Sequence, residues 1–341
     1  MTRLDSKRHH AMLVTTRTPH RISLFGGGSD YPDWFMRERG AVLGMAINKY
    51  VYVSALRLQD FLEYRYRVSY SRVETAHEVA AIAHPVVRAV LDHWQVRDPL
   101  DISIMSDLPA RTGLGSSSSF SVGFRHLVAR LQGTPITRSE LARDAVYVER
   151  VLLAERGGVQ DQYHAAFGGF NRFDFVGTRV SVSPVQLSGA ALRHLTDSCL
   201  LVYTGITRSA SEVVASQVEA TRAGAVDGPL RALVDLVDAA TTVIETTPSH
   251  ALPSALAALL HEGWEAKKRL SSQISSTGID ALYDLARRHG AMGGKLCGAG
   301  AGGFLLLVAD PTDHPRIVDA IAPLQAITFR CDADGAVVLD R

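Results

Sequence analysis

The chain of 341 residues contains only three cysteines, Cys199, Cys297 and Cys331. Their number is odd and they lie far apart, so they suit neither a disulfide framework nor the close spacing of metal ligands. This pattern predicts a reducing environment, and we expect the protein to be cytoplasmic.

Long apolar runs are also absent. No stretch approaches the ~18 consecutive apolar residues of a membrane-spanning helix, and residues 1–10 are polar where a signal peptide needs an apolar core. An excess of one charge is missing as well, because 36 Lys and Arg residues balance 35 Asp and Glu residues. Without a strong overall field, neither nucleic acid nor a membrane is an expected partner. The length allows a substantial core and two domains.

The most informative stretch is the Gly-Ser loop, residues 109–119, which reads Pro-Ala-Arg-Thr-Gly-Leu-Gly-Ser-Ser-Ser-Ser. Apolar residues then recur at helical spacing and predict a helix after the serines: Phe120, Phe124, Leu127, Val128 and Leu131. A Gly-rich turn before a Ser-rich helix start offers free N–H groups and the positive end of a helix dipole. That arrangement suits a polyphosphate with its metal ion. From these residues alone, a capped helix after a flexible turn is an equal alternative.

Two nucleotide-binding motifs can be excluded. A Walker P-loop needs a Lys after its second glycine, but Leu114 and Ser116 flank Gly115. The segment 298–303 satisfies the dinucleotide-binding pattern G-x-G-x-x-G, which requires a strand before it and a helix after it. Here a strand-like apolar run starts at Phe304, so we reject a Rossmann dehydrogenase.

Four charged residues follow recognisable local patterns. Residues 12–25 are strand-like and lead into the turn 26–30, so Arg21 and Asp30 either flank a ligand or belong to an ordinary strand and loop. A capping box at 137–140 opens a helix on which Glu149 lies roughly 80° from Leu141, at the border of the buried face. Such a carboxylate either reaches solvent or is held by a cation, and the residues alone favour solvent. Asp161 follows a Gly-Gly pair in an expected turn.

Three segments together resemble the motifs of the GHMP kinases, the family of galactokinase, homoserine kinase and the mevalonate kinases. Residues 18–30 are similar to the first motif, Pro109–Ser117 to the second, P-x-x-x-G-L-G-S-S, and 294–304 to the third. They occur in the family's order and span nearly the whole chain. Within the family, several stretches are similar to the heptose 7-phosphate kinases, namely residues 26–32, 46–53, 159–171, 204–210 and 264–268.

The resemblance implies a two-domain fold with the active site between the domains. An α/β domain would span 1–187, and an α+β domain of ferredoxin-like type would span 188–341. The implied reaction is ATP-dependent phosphorylation of the anomeric C1 hydroxyl of D-glycero-D-manno-heptose 7-phosphate to the 1,7-bisphosphate, in nucleotide-activated heptose biosynthesis. The sugar phosphate is the expected partner, and a homodimer stays open. Alternatives are an anomeric kinase for a fucose- or galactose-like or secondary-metabolite sugar, and a sugar sensor without catalysis.

The resemblance also implies residue roles. Asp161 would be the catalytic carboxylate, and Arg21 would either favour its ionised form or stabilise developing charge. Ser117 and Glu149 would hold Mg²⁺. The ATP phosphates would lie on Pro109, Gly113, Leu114, Gly115, Ser116, Ser117 and Ser118. The sugar would contact Gly28, Ser29, Asp30 and Gly300, and its phosphate would bind to one or more of Lys49, Arg111, Arg208 and Lys295, with Arg208 preferred.

Overall fold

The computed structural model describes residues 13–59, 61–206 and 210–339. The first half of the chain mixes strands and helices in the order β1 (Leu13–Phe25), α1 (Pro32–Phe35), β2 (Gly40–Arg57), β3 (Tyr66–Ser69), β4 (Val73–Ala76), α2 (Pro85–His93), β5 (Leu100–Ser106), α3 (Ser116–Leu131), α4 (Arg138–Tyr147), α5 (Gln160–Phe167), β6 (Phe170–Val176) and β7 (Arg179–Pro184). A π-helical turn, Val148–Leu152, follows α4 directly.

The long strand β2 organises the first sheet. Its 18 residues pair with β1 along one side, and with β6 and then β5 along the other. The strand order is β12-β1-β2-β5-β3-β4, where β12 is Val337–Val338 from the second half, while β6 pairs with the first part of β2 and β7 pairs with β6. The pairs are antiparallel except β3 with β5.

The second half contains the elements α6 (Gly189–Asp197), β8 (Cys199–Tyr203), α7 (Ala210–Arg222), α8 (Asp227–Thr246), α9 (Leu252–Lys268), α10 (Thr277–Arg288), β9 (Ala291–Leu296), β10 (Phe304–Ala309), α11 (His314–Ile321), β11 (Ala326–Ile327) and β12 (Val337–Val338). Four of these strands form an antiparallel sheet of order β11-β8-β10-β9 with helices packed on it. Among the described helices, none combines the length and the apolarity that crossing a bilayer requires.

The two sheets share a core. Ile22 of β1 and Leu43 of β2 belong to the same buried cluster as Leu260 of α9 and Leu306 of β10. Because apolar side chains gain most when they are fully removed from water, this cluster holds the two halves together around the site. The predicted combination of an α/β and an α+β part is confirmed, while the boundary at residue 187 stays a prediction.

Residues 187–195, next to the predicted boundary, are mostly helix α6, which begins after Ser188 because that side chain accepts a hydrogen bond from Ala191 N at 3.1 Å. One local expectation was wrong, since Asp161, expected in a turn, lies in the first turn of α5. An acidic side chain is favoured there by the helix dipole.

Strand β12 returns to the first sheet. Thr16 pairs with Val338 and Arg17 with Val337 in antiparallel register. Arg17 Nη2 also contacts Asp334 Oδ2 at 2.9 Å. The first sheet is therefore completed by residues that lie more than 300 positions later in the sequence.

Candidate active site

A cavity of about 810 Å³ lies between the two halves of the chain. The first half contributes the turn after β1, most of the Gly-Ser loop and segment 155–162. The second half contributes Val214, Lys267, Gly298 and Ala299. Most ligand pockets lie within about 300–1,000 Å³, so this cavity is large enough for a nucleotide and part of a second small molecule.

Within the Gly-Ser loop, a glycine in the left-handed conformation stands directly before α3. Gly115 has φ +76° and precedes Ser116, the first residue of the 16-residue helix. A Cβ on Gly115 would lie 3.3 Å from Asp161 Oδ2, so a side chain there would be strained and crowded against the carboxylate. The early N–H groups of α3 have no partner within the helix, and such groups can bind an anion.

Arg21 connects β1 to both the loop and α5. Its Nε and Nη2 donate to Asp161 Oδ1 and Oδ2, each at 2.8 Å, and its Nη1 donates to Gly113 O at 2.5 Å. Two parallel charge-assisted bonds fix the plane of the carboxylate as well as its position. The structure therefore brings together the two residues that the sequence predicted as catalytic, and it ties both to the loop.

Glu149 is buried at the cavity wall, with 6% of the residue exposed. Its Oε2 accepts from Ser118 Oγ at 3.0 Å and from Gln162 Nε2 at 2.5 Å. Its buried Oε1 makes no hydrogen bond of good geometry with the described residues, although the Ser121 hydroxyl is close enough to oppose the effect of burial on the pKa. Burial raises the pKa of Glu149 to about 7. A buried carboxylate oxygen without a partner on a cavity wall can ligate a cation.

Ser118, and not Ser117, donates a hydrogen bond to Glu149, while the expected metal-binding role of Ser117 stays a prediction. Ser117 is exposed and Ser118 is buried, although both line the cavity. Successive helix residues differ by about 100° in direction, so only one of the two hydroxyls can point at the carboxylate.

Asp30 lies deeper in the cavity and is bound by backbone donors. Gly28 N donates to its Oδ1 at 2.9 Å and Gln160 N to its Oδ2 at 3.3 Å. A Cβ on Gly158 would lie 1.8 Å from Asp30 Oδ2, so only glycine fits at that position. Burial raises the pKa of Asp30. Asp30 and Gly28 line the cavity as predicted, and Asp30 can accept hydrogen bonds from a polar ligand.

The other end of the cavity has aromatic walls that the sequence reasoning missed. His84 packs edge-on against Tyr70 at 4.8 Å between ring centroids and lies tilted against Phe120 at 5.0 Å. All three line the cavity, together with Ile104. Flat apolar walls beside a loop that can bind phosphate suit the base of a nucleotide. These residues lie far apart in the sequence, so no local pattern marks them.

Lys267 is a second residue that was missed. It is buried, lines the cavity and donates from Nζ to Gly298 O at 2.5 Å. Its sequence signal was present, since Leu256, Leu260 and Trp264 form a buried stripe on α9 that Lys267 continues at helical spacing. A lysine on an otherwise apolar stripe needs a partner or a ligand.

Several predicted ligand residues lie away from the cavity wall and support it instead. Leu114 is fully buried in the core, and Pro109 O accepts from Thr112 Oγ1 at 2.9 Å. Ser29 Oγ donates to Gly26 O and Ala41 O, at 2.8 and 2.9 Å. Gly300 has φ +120°, and a Cβ there would lie 2.8 Å from Ile274 backbone atoms. Their expected contacts with ligands therefore stay predictions.

The four cationic residues expected to bind the substrate phosphate differ in their position relative to the cavity. Lys295 is buried and donates to Ser23 O and Leu24 O at 2.8 and 3.0 Å, so it joins the two sheets instead of facing the cavity. Lys49 on β2 does not line the cavity, whereas Arg111 does. Arg208 lies outside the described residues.

Comparison with known proteins identifies the family. Residues 80–169 match the GHMP kinases N terminal domain, and residues 249–323 match the GHMP kinases C terminal domain. The chain is 31% identical over 320 residues to a D-glycero-alpha-D-manno-heptose 7-phosphate kinase of Campylobacter jejuni. That alignment covers 90% of this chain and 93% of the relative.

Solved structures show the same fold. A D-glycero-D-manno-heptose 1-phosphate kinase from Bacteriodes thetaiotaomicron superposes with a TM-score of 0.77 at 24% identity, covering 96% of this chain and 99% of that one. A Lactococcus lactis galactokinase superposes with a TM-score of 0.72 at 17% identity, covering 95% of each chain. The chain thus belongs to the GHMP kinase family and is an ATP-dependent phosphotransferase with an alcohol group as acceptor.

Proposed function

We propose that the chain is a carbohydrate kinase that phosphorylates the C1 hydroxyl of D-glycero-D-manno-heptose 7-phosphate to give the 1,7-bisphosphate, a step towards nucleotide-activated heptose. The observation that carries this proposal is the position of Asp161. It lies against the start of α3, where a phosphate can bind, and close enough to Asp30 to raise that residue's pKa. Asp161 would therefore lie between the transferable phosphate and the polar pocket for the sugar. A sugar hydroxyl bound at Asp161 would be next to that phosphate.

Asp161 would orient the attacking hydroxyl and accept its proton. Arg21 binds both carboxylate oxygens, but each oxygen keeps a further lone pair for the hydroxyl. Because Arg21 also holds Gly113 O, movement of the carboxylate is coupled to the loop. Arg21 is thus a positioning residue for Asp161, and positioning is a large part of phosphoryl-transfer catalysis.

The site fits Mg²⁺ at Glu149. Within the described ranges no cluster of three or more His, Cys, Asp or Glu residues could hold a metal ion, but Mg²⁺ commonly uses one or two carboxylates together with substrate phosphates and water. The unpartnered Glu149 Oε1 supplies one such carboxylate oxygen, with Ser118 orienting the group and Ser117 within the cavity wall. A bound Mg²⁺ would neutralise charge on the transferring phosphate.

A sugar panel tests the proposed substrate. The relatives' names place the substrate's phosphate differently, at position 7 in one and position 1 in the other. The panel therefore contains heptose 7-phosphate, heptose 1-phosphate, unphosphorylated heptose, fucose and galactose, each with ATP. We expect the highest kcat/KM with the 7-phosphate and a new anomeric phosphate signal by ³¹P NMR. Preference for any other sugar, or phosphorylation at another carbon, would overturn the assignment.

Among the described cationic residues, Arg156 best fits the phosphate at C7 of the sugar, which we call the distal phosphate. It lines the cavity beside Gly157 and Gly158, on the side of Asp30. Its side chain is 55% exposed, and its contact with Glu219 on α7 is loose at 3.9 Å. A guanidinium with free donors at the mouth of the pocket can bind a phosphate in bidentate fashion.

We expect Arg156→Ala to raise KM for heptose 7-phosphate roughly tenfold, the size of one charge-assisted hydrogen bond. The KM for ATP and the activity on unphosphorylated heptose should change little. Arg111→Ala is the matched control, since Arg111 lines the cavity in the Gly-Ser loop. A selective loss in that variant, and none in Arg156→Ala, would move the distal phosphate to the loop.

The two loop serines should differ in their magnesium dependence. Ser118→Ala removes a hydrogen bond that orients Glu149, and changing such an orienting residue typically lowers metal affinity by roughly 10- to 100-fold. Ser117→Ala should have the smaller effect, because it removes at most one neutral ligand. A magnesium titration of the initial rate measures both. A larger effect in Ser117→Ala would restore Ser117 as the dominant hydroxyl.

A further inference from the structure

We propose that Lys267 and Asp30 together bind one hydroxyl group of the sugar, with the Lys267 ammonium donating a hydrogen bond to the hydroxyl oxygen and the Asp30 carboxylate accepting a hydrogen bond from the hydroxyl group. This inference rests on the proposed function, since it takes this part of the cavity as the sugar pocket. It makes Lys267 a residue that determines sugar specificity.

The ammonium of Lys267 faces the turn that carries Asp30. Its Nζ lies 3.7 Å from the position that a Cβ on Gly27 would occupy. Only 6% of Lys267 is exposed, and one of its three donors is bound to Gly298 O. Two donors remain on a side chain that lines the cavity. A buried donor that is left without a partner costs about 1–3 kcal/mol, so a ligand that accepts from it gains affinity.

Lys267 and Asp30 do not satisfy each other. Among the described residues these two form no ion pair within 4.0 Å, although the charge of Asp30 is close enough to raise the pKa of Lys267 against the larger, opposite effect of burial. Asp30 has two backbone donors, which leaves part of its acceptor capacity free. Two opposite buried charges that are close but separated can share a group that accepts from one and donates to the other.

A neutral hydroxyl fits between these groups better than an ion. The Asp30 carboxylate would repel a phosphate, and the Lys267 ammonium would repel a metal ion. A hydroxyl is both a donor and an acceptor, so it complements the two at once. Burial lowers the pKa of Lys267 to about 8 and raises that of Asp30, and hydrogen bonds to a ligand replace part of the hydration that both lost.

The first test compares two lysines that are adjacent in the sequence. Lys267→Met keeps the side chain's length but removes the donor, and we expect KM for the sugar to rise roughly 10- to 100-fold with little change in KM for ATP. Lys268→Met is the control, because Lys268 pairs with Glu265 at 2.8 Å and does not line the cavity. Its kinetics should match the wild type. If Lys267→Met raised KM for the sugar and KM for ATP by the same factor, Lys267 would only support the loop at Gly298, and the proposal would be wrong.

The second test removes hydroxyls from the sugar instead. The sugar used is the one that the wild type prefers in the panel, so a preference for a non-heptose sugar would overturn the proposed function and leave this test intact. For the wild type, one mono-deoxy analogue should raise KM by about the same factor as the substitution Lys267→Met does. For the Lys267→Met variant, the same analogue should raise KM little further. If the wild type accepts every mono-deoxy analogue with unchanged KM, the proposal is wrong, even where Lys267→Met fails to fold.

Discussion

Asp161→Asn is expected to lower kcat by at least 10²-fold and by up to about 10⁴-fold, the range for loss of a positioned general base. The amide keeps the shape of the side chain but cannot take a proton from the sugar hydroxyl. It also replaces one of the two oxygens that Arg21 binds at 2.8 Å. Steady-state rates at saturating ATP and sugar measure the effect, and equilibrium binding of an ATP analogue should be nearly unchanged.

The structure provides a matched control for this variant. Arg125 and Asp144 form another Arg–Asp pair at 2.7 Å, with an arginine that is as buried as Arg21, and neither residue lines the cavity. Asp144→Asn should therefore reproduce any loss of stability that comes from weakening such a pair, with a nearly normal kcat. Near-normal turnover in Asp161→Asn would remove Asp161 from the catalytic role.

Glu149→Gln is expected to have two opposite effects. It should raise the Mg²⁺ concentration for half-maximal rate by roughly 10- to 100-fold or more, because a neutral amide is a poor ligand for a hard cation. In metal-free buffer at pH 8 it should increase the free energy of unfolding. The amide oxygen can keep accepting from Ser118 and Gln162, and the buried negative charge is gone.

The pH dependence of stability gives the sign of the second effect. Burial raises the pKa of Glu149 from 4.5 to about 7, so below pH 4.5 this group costs the fold nothing. Between pH 4.5 and 7 the unfolded chain loses the proton while the folded chain keeps it, and stability falls. Above pH 7 the loss levels off at about 3 kcal/mol, because a tenfold change in proton affinity on folding corresponds to about 1.4 kcal/mol. Denaturant unfolding at several pH values should show that Glu149→Gln lacks this decline.

Glu140→Gln is the control on the preceding helix, α4. Hydrogen bonds from Thr137 lower the pKa of Glu140, so its charge adds stability that is present above pH 4.5 and lost as the pH falls through its lowered pKa. The two variants should thus differ in the sign of their pH dependence. The same sign in both would mean that Glu149 is not buried as a costly charge in the metal-free protein.

The sequence predicted the Arg21–Asp161 pair because family motifs, unlike local patterns, connect residues 140 positions apart. It also predicted that Asp30 and the Gly-Ser loop would meet at one site, and that the chain is an ATP-dependent kinase, which the comparisons confirm. The burial of Glu149 could not be read from helical periodicity. The π-helical turn departs from the regular α-helical spacing, so a border position became a buried one.

Other misses follow from tertiary packing. Lys295 looked like a phosphate ligand because it sits in a Gly-rich motif, but its ammonium binds carbonyl groups of β1. Lys267 lies in the family-like stretch 264–268 but was not assigned a role there, and the structure shows that α9 turns it inward. The cationic residues of a motif cannot be sorted into ligands and supports until the partner strands are known, because the same ammonium serves either purpose.

The late pairing of β12 with β1 has a consequence for synthesis of the protein on the ribosome. While the chain emerges, the outer edge of β1 at Thr16 and Arg17 has no strand partner until Val337 and Val338 have been made. An open strand edge is a template for association with other chains. Folding of the first sheet can therefore finish only after translation of nearly the whole chain. Nascent chains stalled before residue 337 should bind chaperones that recognise extended segments. Chains in which β12 has emerged from the ribosome should no longer bind these chaperones.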